Sequence, residues 1–235
     1  MIPPLRRLAP GVLLLALAIP AIAQEIGTFD GAYHAEPWGP NENPGTFGRA
    51  VSARLTPDPQ PELVLVDGDR LVVLADCFEK FAPSVLSLQA LELDVVPGAG
   101  AGGVDRVAAV TASGLVFVDH DAFANVFTWT FAGAGPWAGA RSVRSADLDG
   151  DGLADLVGVS ADGLSVTTLL GSAGGGFVDG PSLEVVNPIR ACVPLEWDGD
   201  AGLELGFLTD LGVEVYEQDE SLLDVWPAPY PGGTL

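Results

Sequence analysis

Ala146-Asp147-Leu148-Asp149-Gly150-Asp151-Gly152-Leu153-Ala154-Asp155-Leu156-Val157, followed by the polar turn Ser160-Ala161-Asp162-Gly163 and by Leu164-Ser165-Val166, decides how this chain is read. An acidic loop punctuated by glycine runs into a short apolar segment, a turn, and a second apolar segment, the alternation that marks strands and hairpins. Three other places echo it. Leu195-Glu196-Trp197-Asp198-Gly199-Asp200 leads to Glu204-Leu205 and then to Gly212-Val213-Glu214-Val215. Ala53-Arg54-Leu55-Thr56-Pro57-Asp58 leads to Glu62-Leu63-Val64-Leu65-Val66 and, past a turn, to Leu71-Val72-Val73-Leu74. The weakest copy keeps Asp105, Val107–Val110 and Leu115–Val118, with a glycine-rich run, Gly98–Gly103, where the acidic loop would stand.

The acids at the loop exits, Glu62, Asp105, Asp155 and Glu204, are 43, 50 and 49 residues apart. A period of this size, filled with short Val- and Leu-rich segments, is that of a propeller blade, since a single blade cannot bury both its faces and must stack on neighbours. The units fall near residues 45–90, 91–135, 136–186 and 187–235. The third is expected to hold four strands, Ser142–Asp147, Asp155–Ser160, Leu164–Leu170 and Ser182–Val186. Leu63–Val66, Val107–Val110 and Leu156–Val159 are apolar throughout and are expected to be covered on both faces. The expected fold is all-β, a propeller or partial propeller of about four blades with antiparallel strands. Sandwich halves are the other packing open to such strands, and repetition favours blades. Phe78–Leu93 comes nearest to a helical period and is expected to hold a short helix or a connecting loop; Gly98–Gly103 reads as low-complexity coil.

The N-terminus has the layout of an export signal. Arg6 and Arg7 precede an apolar core, Gly11–Ile19, and Ala21-Ile22-Ala23 forms a small-x-small cleavage signature. Cleavage after Ala23 is expected, with a lead-in over 24–44, and a secreted, periplasmic or cell-surface location follows. The apolar stretch is shorter than the roughly 18 residues a span needs, and Pro20 interrupts it, so no membrane span remains after cleavage. Losing Arg6 and Arg7 leaves 8 basic against 32 acidic residues, a net charge of −24. Such a surface repels nucleic acid and anionic membranes and attracts cations. Cys77 and Cys192 could form one bridge in an oxidising compartment, which sequence spacing leaves open.

The third unit, together with Gly175-Gly176-Phe177 behind it, resembles one repeat of the VCBS and FG-GAP family, the integrin-α-like propeller repeats. The likeness runs from about Gly45 to the C-terminus, strong in the third unit, fair in the fourth and faint in the first two. It implies blades that carry calcium loops, in exported or cell-surface proteins.

The residues themselves point to the same ion. Calcium takes about six to eight oxygen ligands at flexible distances. Asp147, Asp149 and Asp151 alternate in a tight loop, Gly150 and Gly152 let the backbone turn, the Leu153 carbonyl can add an oxygen, and Asp155 closes the ring. An EF-hand is excluded at its twelfth position, which is Gly158 rather than a bidentate Glu. The fourth unit places Glu196, Asp198, Asp200 and Glu204 at the same four offsets, a second and weaker Ca2+ site. In the first unit Arg54 and Thr56 replace the first two acids, Arg54 can act as the counterion of Asp58 and Glu62, and no metal is expected. The second unit is expected to hold no metal.

No nucleophile motif, zinc-binding helix, P-loop or dinucleotide fingerprint occurs. His120, between Asp119 and Asp121, reads as a solvated turn residue after a strand. The chain is therefore expected to be a non-enzymatic calcium-binding module for binding, adhesion or structure, with a protein or glycan partner; the alternative is a propeller segment of a larger carbohydrate-active or other extracellular enzyme. Trp197 is expected to point inward, as Leu148 does in the sister loop. The tail after Val213–Glu217 resembles the lead-in to another blade, so further blades or self-association are expected, against a closed four-bladed ring as the alternative.

Overall fold

The computed structural model describes residues 47–75, 82–199, 202–217 and 222–227. The expected signal peptide and lead-in, Cys77, Asp200 and the tail from residue 228 lie outside the described residues.

Among the described residues, sixteen strands form four separate four-stranded antiparallel sheets, each a meander in chain order. Blade 1 holds β1 (Phe47–Ala53), β2 (Glu62–Asp67), β3 (Arg70–Ala75) and β4 (Ala82–Leu86). Blade 2 holds β5 (Ala90–Val96), β6 (Arg106–Thr111), β7 (Gly114–Asp121) and β8 (Val126–Gly133). Blade 3 holds β9 (Ser142–Ala146), β10 (Asp155–Val159), β11 (Ser165–Gly171) and β12 (Phe177–Glu184). Blade 4 holds β13 (Ile189–Leu195), β14 (Glu204–Thr209), β15 (Gly212–Tyr216) and β16 (Leu222–Pro227). The first strands of consecutive blades lie side by side, β1 by β5, β5 by β9 and β9 by β13. The chain thus enters each blade near a shared axis and leaves it at the rim, which is propeller architecture.

The second strands explain themselves. β6 and β10 are covered on both faces, with Val107 through Thr111 and all of β10 buried, so apolar residues occur at successive positions instead of alternating. Alternate residues then feed different interblade cores. Val107 and Ala109 join blade 1's Val64, Val66, Leu71 and Val73, whereas Ala108 and Val110 join blade 3's Val143 and Leu156. A third core packs Leu148, Val157, Val159 and Val166 against Ile189, Cys192, Leu205 and Phe207 of blade 4. A fourth cluster, Ala50, Leu65, Val72 and Leu74, lies within blade 1. Among the described residues no apolar cluster joins blade 4 to blade 1, and Val193 and Val213 of blade 4 are exposed.

Side-chain stacks lock neighbouring blades. Arg106 lies over the Phe117 ring at 4.3 Å, Phe117 stacks on Phe177 of blade 3 at 5.0 Å, and the Arg106 guanidinium grips Asp119 with both Nε and Nη2. A cation between an aromatic face and a bidentate carboxylate is held in one geometry. The Gly176-Phe177 pair that closes the third unit is therefore an interblade contact.

Four sequence expectations are corrected. Within Phe78–Leu93, the described residues from 82 onward form β4 and the start of β5, not a helix: apolar residues there answer to two sheets rather than to one helical face. The last strand of blade 3 starts at Phe177 instead of Ser182, because residues 177–179 extend the pairing with Gly171, Leu170 and Leu169. Gly98–Gly103 is a closed turn, in which Gly100 donates to Val104 and Gly103 to Gly100, with Gly98, Gly102 and Gly103 at positive φ. His120 lies within β7, half-buried against Phe127, with Nε2 3.2 Å from Asn125 Oδ1.

Cys192 is a free thiol in the core between blades 3 and 4, 2% exposed, and burial pushes its pKa up to about 12. A thiol so placed is neither ionised nor accessible at neutral pH. In a Cys77→Ala background, Cys192 is expected to resist a thiol reagent at pH 8 in the native protein and to react fully once denaturant is added. Reaction at the rate of an unfolded cysteine would mean that this interblade core is open.

Candidate metal centre

All four loops between first and second strands share one construction. The acid that begins the second strand, or directly precedes it, accepts the backbone N–H of the residue seven positions earlier. Glu62 takes Leu55 at 2.7 Å, Asp105 takes Gly98 at 3.1 Å, Asp155 takes Leu148 at 2.6 Å and Glu204 takes Trp197 at 2.5 Å. Each closes its loop with a charge-assisted hydrogen bond. All four acids, the repeat's anchors, are loop staples; of the two also expected to bind metal, Glu204 joins an acidic cluster and Asp155 does not. The signal for the staple was available, since the acid persists in the two loops that lack metal-binding partners.

The remaining carboxylate oxygen distinguishes the blades. In blade 1 Glu62 Oε1 accepts Thr56 Oγ1 at 2.7 Å. In blade 2 Asp105 Oδ2 accepts the Arg54 N–H at 2.8 Å, tying the two blades. In blade 3 Asp155 Oδ1 accepts Gly171 N–H at 2.6 Å. Glu204 Oε1 in blade 4 is buried and has no hydrogen-bond partner. Arg54 is not the counterion expected for Asp58 and Glu62; its guanidinium donates to the Gly103 carbonyl across the blade boundary.

The blade 3 loop brings together Asp147, Asp149 and Asp151, each with one carboxylate oxygen within 4.8 Å of the others. Gly150 and Gly152, at φ of 74° and 86°, supply the left-handed turns this requires. The loop preorganises its acids: Gly152 N–H donates to Asp147 Oδ2, Asp151 N–H to Asp149 Oδ1, and Leu153 N–H to Asp151 Oδ1. Asp147 Oδ1 is left buried without a partner. Asp155 does not join this group. It is fully buried between Leu148 and Gly171, where burial raises its pKa and the two N–H donors oppose that rise.

In blade 4 Glu196, Asp198 and Glu204 meet the same 4.8 Å limit, and Asp200 lies outside the described residues. The methylene that Glu204 has beyond Asp155 lets it reach the cluster while still stapling Trp197. Gly199 N–H orients Glu196 through Oε1 at 2.6 Å. The Trp197 side chain is 38% exposed against 1% for Leu148, so it does not point inward as expected. Only its backbone repeats the sister loop. Trp137 is buried, and Trp129 is exposed on blade 2.

No protein-family model and no curated protein matches this chain. Solved structures do. BBS1N, in its complex with ARL6DN, is 15% identical with a TM-score of 0.56, over 86% of this chain and 57% of that one. An Agrocybe aegerita lectin with specific recognition of non-reducing terminal N-acetylglucosamine is also 15% identical, with a TM-score of 0.51 over 76% of this chain and 51% of its own. These likenesses are to the fold, and this chain spans little more than half the length of either neighbour. They agree with the blades described above: the chain is a β-propeller protein.

Proposed function

We propose that this chain is an exported calcium-binding propeller module of the FG-GAP and VCBS kind, with ions in the Asp147–Asp151 loop of blade 3 and the Glu196–Glu204 loop of blade 4, and that it serves as a binding or structural element without catalysis. The observation that carries this is the pair of buried, unpartnered carboxylate oxygens, Asp147 Oδ1 and Glu204 Oε1, one in each acidic cluster. A buried charged oxygen without a partner costs about 1–3 kcal/mol or more, and a hard cation would remove that cost in each loop. Glu62 and Asp105, in loops without such clusters, have no orphaned oxygen. A protein or glycan partner is in keeping with BBS1N and the lectin, each a propeller that engages another molecule.

Calcium titration followed by calorimetry is expected to show two sites. Asp149→Ala with Asp151→Ala is expected to remove one, Glu204→Gln the other, and Asp58→Ala neither. A heat signal indistinguishable from sodium at equal ionic strength, or equal losses from all the substitutions, would leave only general charge screening.

A further inference from the structure

Each blade ends on an outer strand whose free edge presents unpaired backbone N–H and C=O groups, and natural sheets usually blunt such edges with proline or charge. β4 carries Pro83, β12 carries Asp179, Pro181 and Glu184, and β16 includes Asp224 and Pro227. β8 is different. Its eight residues, Val-Phe-Thr-Trp-Thr-Phe-Ala-Gly, contain neither charge nor proline, and Val126, Trp129 and Phe131 are 46%, 42% and 53% exposed.

The order from 127 to 131, Phe-Thr-Trp-Thr-Phe, reads the same in both directions. Phe127, Trp129 and Phe131 pair with His120, Val118 and Val116 and so share one face; Thr128 and Thr130 pair with Asp119 and Phe117 on the other. Two copies of β8 laid antiparallel about a two-fold axis through Trp129 would oppose Trp129 to itself, each Phe127 to a Phe131 and each Thr128 to a Thr130. Aromatic pairs and threonine pairs are the cross-strand combinations that stabilise antiparallel sheets, each by about 0.2–1 kcal/mol. The edge also suits the chain's charge. At a net −22, two copies meet with least repulsion along a seam without carboxylates, which β8 provides and β12 does not.

We infer that β8 is a self-recognition edge, through which two copies of this chain join their second blades into one eight-stranded sheet. The interface is isologous, as a two-fold dimer requires. It is independent of the calcium loops, so chelation and dimerisation separate in experiment.

Sedimentation of the full chain over a concentration series in EGTA is expected to show a monomer–dimer equilibrium. Because position 129 opposes itself, Trp129→Glu and Trp129→Lys are each expected to weaken the dimer at least about tenfold by like-charge contact, while an equimolar mixture of the two variants restores it. Phe131→Glu, at an exposed site, is expected to weaken the dimer as well and serves if position 129 does not tolerate charge. A monomer at every concentration, a dimer unaffected by these changes, or a mixture that stays monomeric would overturn the assignment.

Discussion

Gly158→Val is expected to be among the most destabilising single substitutions in this chain, lowering the melting temperature by about 5–15 °C, because the space a side chain would need is already filled by Trp137. A Cβ built on Gly158 meets Trp137 ring atoms at 2.2, 2.7 and 2.8 Å. Trp137 is 5% exposed and sits in the core that joins blades 2 and 3, with Val96, Val110, Leu115 and Leu156. The ring has nowhere to retreat. Either the blades part or the indole leaves the core, and expelling a large aromatic costs about 3–5 kcal/mol. Trp137→Leu in the Gly158→Val background is expected to recover part of the loss, although Trp137→Leu alone destabilises, so a double-mutant cycle is expected to show coupling of opposite sign to the single effects. A red-shifted tryptophan emission in Gly158→Val, absent when Trp137 is also replaced, identifies the displaced ring. Additive effects would show that Gly158 and Trp137 are not in contact.

That contact shows where sequence legibility ends. Gly158 reads as one more small residue in an apolar strand, and nothing local links it to a tryptophan 21 residues earlier. Period, turn chemistry and strand composition are local, and they placed the blades well: β6 and β10 are the doubly covered strands expected from Val107–Val110 and Leu156–Val159, whereas β2, expected from Leu63–Val66, is buried from Val64 on with Leu63 half-buried and its second face meeting a cluster of its own blade. Contacts across blade boundaries are set by stacking angle, which no local pattern encodes. Arg54 is the clearest instance, since its sequence neighbours are Asp58 and Glu62 while its guanidinium bonds Gly103 of the next blade. Trp197 is another: the repeat fixes its backbone bond to Glu204 and leaves its side chain to the surroundings. The candidate site was legible in its composition and less so in its division of labour. Alternating acids were read as a ring of ligands, whereas a carboxylate at the mouth of a buried strand meets unpaired N–H groups first.

Separating these two uses of a carboxylate gives the second large effect. Asp155→Ala is expected to cost about 2–5 kcal/mol, in EGTA and in calcium alike, because it strands two backbone donors, Leu148 N–H and Gly171 N–H, each now bonded at 2.6 Å. Asp155→Asn keeps one acceptor oxygen and is expected to recover part of that loss, which a purely electrostatic role would not allow. Asp149→Ala with Asp151→Ala is expected to behave in the opposite way. Both side chains are exposed, and in EGTA their removal relieves repulsion within the loop, so the melting temperature holds or rises slightly. In calcium the same variant is expected to forgo the ion's contribution, about 2.7 kcal/mol at a concentration one hundred times the dissociation constant. Thermal melts of the three variants with and without calcium test this division. If Asp155→Ala destabilises only when calcium is present, Asp155 acts through the metal, and the staple is not its main role.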